Sequence, residues 1–246
     1  MACERWAAVV WVSLWALSCG EDALAYRPFT GTDAAVADLG ELETEFGPAE
    51  PMRAGSQRLL TSAETVFNLG IAEGWEAVLQ GQAVTLLSPG PMQTSLLGNE
   101  FSLKNILRDG VLQEKDGPSI AVEFGPLLPG VNGEPGTGAS WGGIVSNRWG
   151  WLTTHVNAAV AFTRTHHADA FLGTIFEGPW DWPVRPVAEV FYEREWGVAQ
   201  TVSGLAGAIW QVSDKLAFDI ALRDARVNGH TVNELRAGVT FGLLLW

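Results

Sequence analysis

The sequence predicts an all-β chain, an antiparallel transmembrane β-barrel of about twelve strands, on three observations. Segments of about ten residues alternate between apolar and polar side chains, turn-forming residues separate them, and the apolar faces carry no charge. Trp151–Thr163 shows the alternation well. At helical spacing its Thr153, Thr154, His155 and Asn157 smear around the cylinder, and its β-branched content disfavours a helix. At a period of two, Leu152, Thr154, Val156, Ala158, Val160 and Phe162 fall on one face, and Thr153, His155, Asn157, Ala159 and Ala161 on the other.

Twelve such segments follow one another: Glu41–Pro48, Ala63–Ala72, Trp75–Val84, Phe101–Arg108, Pro118–Gly125, Ser140–Arg148, Trp151–Thr163, Ala170–Gly178, Pro186–Arg194, Thr201–Trp210, Lys215–Arg223 and Asn233–Leu245. An even count suits bacterial outer-membrane barrels. The even-numbered links are mostly tight, as at Glu73-Gly74, Trp149-Gly150 and Gln211–Asp214. Several odd-numbered links, Ala49–Ser62, Thr85–Glu100 and Pro126–Ala139, are long and rich in Gly and Pro. Short turns on one side and long loops on the other predict both termini in the periplasm, a pattern that a Greek-key sandwich has no reason to show. The last two of these loops are expected to fold over or into the barrel mouth.

The faces sort by solvent. Phe67, Leu69, Ile120, Val122, Phe124, Phe218, Ile220 and Leu222 belong to a set without charge, and Glu41, Glu43, Glu45, Glu64, Glu76, Glu123, Glu189, Asp219 and Glu234 to the opposite set. A closed barrel satisfies its own backbone, so the first set is expected to meet lipid and the second the lumen.

The ends agree with export to the outer membrane of a Gram-negative bacterium. Residues 1–25 have the layout of a secretory signal peptide, with an apolar run Trp6–Leu17 and Ala23-Leu24-Ala25 before the expected cut. A rival cut before Cys19 would make a lipoprotein. Cleavage after Ala25 removes both cysteines, three acids and one arginine, so the net charge goes from −13 to −11 and no disulfide is left to form. Such an acidic chain is a poor partner for nucleic acid. Residues 26–246 then form one barrel domain, with 26–40 as an N-terminal periplasmic segment. Nine tryptophans lie beyond the signal region, as expected of interfacial girdles. Trp196–Ser213 is uncharged, but too diluted by Gln, Ser, Thr and Gly for a transmembrane helix. The closing "RAGVTFGLLLW" has the form of a signal for barrel-assembly machinery, although Trp246 is out of phase with Leu243 and Leu245, which implies a bulge or an imperfect signal.

"YRPFTGTDAAVADLGELETEFG", Tyr26–Gly47, combines an Arg-Pro, a nearby Thr and Asp-Ala, a turn glycine and a Glu-rich first strand. Together with Phe101–Leu107 around Lys104, "GPSIAVEFG", "VAEVFYE" and "ELRAGVTFG", it resembles the outer-membrane transporter family named for the MetA pathway of phenol degradation. The resemblance implies a barrel that passes small, often hydrophobic or aromatic molecules, and it brings no catalytic residues.

Candidate lumen-lining and selectivity residues are Lys104, Arg108, Glu123, His155, Asn157, Glu189, Asp219, Arg223, Glu234 and Arg236. Such charges form either a salt-bridge ladder that fills a narrow barrel or a gate and substrate path, and their acidic surplus would favour cations in an open lumen. His166-His167, near Asp169, sit in an expected outer loop and lack further ligands for a metal. A lipase-like set of Ser146-Asn147 and His155 would have to face lipid, and His155 has lumen parity with no nucleophile motif beside it, which argues against catalysis. The expected function is cofactor-free, passive passage of a small-molecule substrate through an outer membrane whose lipid is the other partner. A closed structural or surface-interaction barrel is the alternative, and a lipid-active enzyme the third reading.

Overall fold

The computed structural model describes residues 27–133 and 135–246; the expected signal peptide and the Cys19 box lie outside them. Twelve strands form an antiparallel meander: β1 (Glu41–Ala54), β2 (Gln57–Ala72), β3 (Trp75–Ser88), β4 (Gln93–Arg108), β5 (Ser119–Leu127), β6 (Gly138–Trp149), β7 (Leu152–Phe162), β8 (Ala168–Glu177), β9 (Val184–Glu195), β10 (Ala199–Ser213), β11 (Leu216–Val227) and β12 (His230–Leu244). β12 pairs with β1 and closes the barrel. We call the end where β1 starts and β12 finishes the near end, and the opposite rim the far end.

Each expected strand is present, but two of the three long expected loops are largely strand. Ala49–Ser62 is the continuation of β1 and β2 around a turn at Gly55-Ser56, and Thr85–Glu100 narrows to residues 89–92. The proline cues misled because Pro48 and Pro51 lie at the closure seam, where β1 gains one residue on β12 between the pairs Phe46–Val239 and Met52–Glu234. A proline without an N–H is tolerated where the ladder is already interrupted. Residues 128–133 and 135–137 lie in a loop, which docks on the far end of β4 through reciprocal Leu96–Val131 backbone bonds of 2.9 and 3.0 Å. Asn99 Nδ2 reinforces it by donating to the Pro129 carbonyl at 2.9 Å.

The alternation is realised in space. Leu172, Val190, Ile220 and Leu222 stand on the outside of the wall, more than half exposed. Trp149, Trp151, Trp180, Trp182, Trp210 and Trp246 gather near the near-end turns, with Trp141 and Trp196 toward the far end. Trp246 lies two residues beyond Leu244, the last of β12; pairing runs without a shift from Val239 to Leu244, so no bulge intervenes there.

Residues 27–40, expected in the periplasm, run inside the barrel instead. They climb from β1 along β2, where a Cβ on Gly70 would collide with the Asp38 carbonyl, and reach mid-lumen at Arg27. The apolar interior consists of small clusters that this segment completes. Phe29 packs on Val187, Ile209 and Ala217, while Ala34 packs with Ala121, Ile144 and Leu112. The outer face carries a direct expectation: Leu172→Arg, at mid-height of β8, should lower the unfolding free energy in lipid by about 2–4 kcal/mol. A loss below about 1 kcal/mol in urea titration would place that face away from hydrocarbon.

Candidate functional site: the occupied lumen

The N-terminal segment has no helix or sheet partner of its own, so its backbone groups must be met by the wall. The wall meets them with inward side chains. Glu189 of β9 accepts from the Thr30 N–H at 3.0 Å and the Gly31 N–H at 2.6 Å. Asn157 of β7 accepts from the Thr32 N–H at 2.9 Å and donates to the Thr32 carbonyl at 2.8 Å. Ser146 Oγ accepts from the Ala34 N–H at 2.9 Å, and Glu76 from the Ala37 N–H at 2.8 Å. Arg236 of β12 donates to the Pro28 carbonyl at 2.7 Å.

Charges fix this run at its start and near its middle. Arg27 lies over Gly47 and Gly238 at the closure seam, where a side chain at either position would overlap its guanidinium. It pairs with Glu50 and Glu64, and its Nε is 3.4 Å from Asp219. Lower down, Lys104 Nζ is 3.3 Å from Glu76, 3.6 Å from Asp33 and 3.3 Å from Thr32 Oγ1. Lys104 also faces Glu123 across the β4–β5 pair, and Glu123 accepts from Ser102. Arg223 completes a third group, pairing with Glu234 at 2.9 Å and donating to Ser203 at 2.9 Å.

Nine of the ten candidate lumen residues therefore face inward, and the tenth is corrected. Arg108 lies beyond a register shift between Ile106 and Arg108 and is exposed, where it donates to the Asp116 carbonyl at 3.1 Å and to the Pro118 carbonyl. Sequence reasoning missed Arg27 and Asp33 as lumen residues because they precede the first strand, where no alternation marks a face. Ser146 and His155, weighed together in the sequence as a lipase-like set, are direct cross-strand partners. Ser146 Oγ lies 2.8 Å from His155 Nδ1, and His155 Nε2 is 3.7 Å from Glu177, which Arg185 approaches at 3.7 Å. This resembles a nucleophile–base–acid row, but Ser146 is fully buried and its oxygen is occupied by the Ala34 N–H. A nucleophile needs an open approach for its substrate, and here that approach is taken by the chain itself. Of the exposed pair, His167 reaches Thr165 and Glu195 while His166 stacks on Phe162; among the described residues no group of three or more His, Cys, Asp or Glu side chains could hold a metal ion.

Beside the segment lies a cavity of about 650 Å³. One side of it is small or apolar, with Gly142, Ile144, Ala159, Ala161 and Phe171; the other carries Glu43, Glu45, Glu64 and Gln80. Arg27→Ala would leave Glu50 buried without its partner and should cost about 3–5 kcal/mol in equilibrium unfolding. A loss under about 1 kcal/mol would mean that the guanidinium does not hold the segment.

No family model and no curated protein matches the chain. Solved structures do. An outer-membrane channel from Pseudomonas putida F1 superposes with a TM-score of 0.60 at 9% identity, covering 87% of this chain and 100% of that one. The KdgM porin gives 0.52 at 11% identity, covering 82% and 98%. The translocator domain of the autotransporter NalP from Neisseria meningitidis gives 0.50 at 11% identity, covering 83% and 89%. The fold is that of the outer-membrane β-barrels of Gram-negative bacteria.

Proposed function

We propose that the protein is an outer-membrane channel for passive passage of small molecules, with residues 27–40 as its internal stopper. The observation that carries this reading is the way the lumen is filled. A wall built only to be solid would close on itself with apolar side chains. This one instead holds a separate strand of backbone with polar contacts that water can replace, next to a cavity large enough for a single-ring molecule. The channel and porin among the structural neighbours favour the same reading. The small and apolar side of the cavity suits an aromatic or hydrophobic body, in keeping with the sequence resemblance to the phenol-pathway transporters. Lys104, Glu123, His155, Asn157, Glu189, Asp219, Arg223, Glu234 and Arg236 then act as the seat and lining of the passage. Ser146 and His155 belong to that seat rather than to a lipid-active centre.

The second reading, a closed structural barrel, is favoured by the burial of Arg27 and Asp33, each beside buried charges of opposite sign. Liposomes containing the chain from residue 26, or a chain lacking 26–39, separate the two. Entry of phenyl glucoside faster than glucose, and at least ~10-fold faster entry after deletion, is expected of a stoppered aromatic channel. Equal entry of both sugars would indicate a general pore, and no entry with either folded protein would establish the closed barrel.

A further inference from the structure

The first strand puts three glutamates on the inner face, Glu41, Glu43 and Glu45. Two of them have partners. Glu41 is 3.4 Å from Lys215 Nζ, and Glu45 accepts from Asn68 Nδ2 at 2.9 Å. Glu43 is 6% exposed, yet among the described residues it makes no hydrogen bond and no ion pair. Neither protonation state is satisfied by the protein: ionised, it lacks a counter-charge in contact, and neutral, it lacks an acceptor for its proton. Lys104 is the cation whose field reaches it, and that ammonium lies against Asp33 and Glu76. Asp33, also on the cavity, likewise leaves Oδ2 without a partner.

Position gives this orphan carboxylate a role. Glu43 lines the large cavity and also a small near-end pocket bounded by Ala217, Thr240 and Gly242, with Asp214 and Lys215 on the same pocket and the Lys215 ammonium directed to Glu41. The segment descends along β2, whereas this junction lies on the β11–β12 side. Ten carboxylates and four cationic side chains line the large cavity, a formal excess of six negative charges. The cavity thus concentrates positive charge beside a carboxylate that opens onto it and that makes no hydrogen bond or ion pair among the described residues.

We propose that Glu43 is a binding site for a compact monovalent cation, inorganic or the ammonium head of a small amine, at the junction of the two cavities. This rests on reading the lumen as a passage and names the charge class it admits. A small cation reaches the carboxylate from the large cavity that Glu43 lines, and Gly242, its cross-strand neighbour, leaves the space that the Glu41 carboxylate occupies, a second oxygen donor at the junction. Its binding supplies the charge that the fold withholds.

Thermal unfolding of the purified chain in detergent tests this, with methylammonium or potassium chloride replacing N-methylglucamine chloride at constant ionic strength. A saturable rise in Tm of about 5–10 °C at hundredfold excess is expected, and should vanish in Glu43→Gln. A rise with methylammonium alone would identify an organic ammonium site, and a rise with both a site for compact cations in general. No saturable rise, or a rise unchanged in Glu43→Gln, would overturn the proposal. Should the variant not fold, rubidium-soaked crystals of the unaltered protein give an independent answer: an anomalous peak beside Glu43 supports the site, and its absence there refutes it. Binding without flux would remove the passage reading and keep the site; flux without binding would do the reverse.

Discussion

Much of the interior follows from one buried guanidinium. Arg27 is pinned at the closure seam by Glu50, Glu64 and Asp219, carboxylates from β1, β2 and β11. Removing a charge of this kind from water is costly and is repaid only by close partners on several sides. The seam supplies room as well as partners, since Gly47 and Gly238 leave the space that the side chain occupies. With Arg27 held there and Gly40 tied to β2 by its N–H to the Gly70 carbonyl at 2.9 Å, the chain between them has to cross the lumen.

A twelve-stranded barrel is wider than the eight-stranded kind that side chains alone can fill. The crossing segment resolves that geometric surplus. Its amides engage Glu189, Asn157, Ser146 and Glu76, so inward polar side chains become acceptors for a backbone that would otherwise be unsatisfied. Polar contacts of this sort order the segment without an extensive dry core, consistent with a filling that can leave while the wall stays closed. The same acidic lining leaves Glu43 unmatched, which links the packing of the lumen to the charge of what it could admit.

The wall was legible in the sequence because its signal is local. Phe218, Ile220 and Leu222 announce a lipid face at a period of two within one strand, whatever the partner. The interior was legible only in part. Glu189 and Asn157 were placed on the correct face, but their partners Thr30 and Thr32 lie more than a hundred residues away and carry no pattern of their own. Arg108 was misplaced because a bulge breaks parity after Ile106, and Pro48 and Pro51 read as loop because their tolerance depends on the seam with β12. The Ser146–His155 contact depends on the register of β6 against β7, which alternation alone does not set.

The most direct test of the occupied lumen as a stoppered channel is to lock the stopper in place. Cysteines at Thr32 and Asn157, whose native groups already share two hydrogen bonds, would tie the segment to β7 when oxidised. Flux of phenyl glucoside into liposomes should be lowest in the oxidised form and rise at least ~10-fold on reduction. Equal flux in the two redox states, with the crosslink verified, would contradict the account.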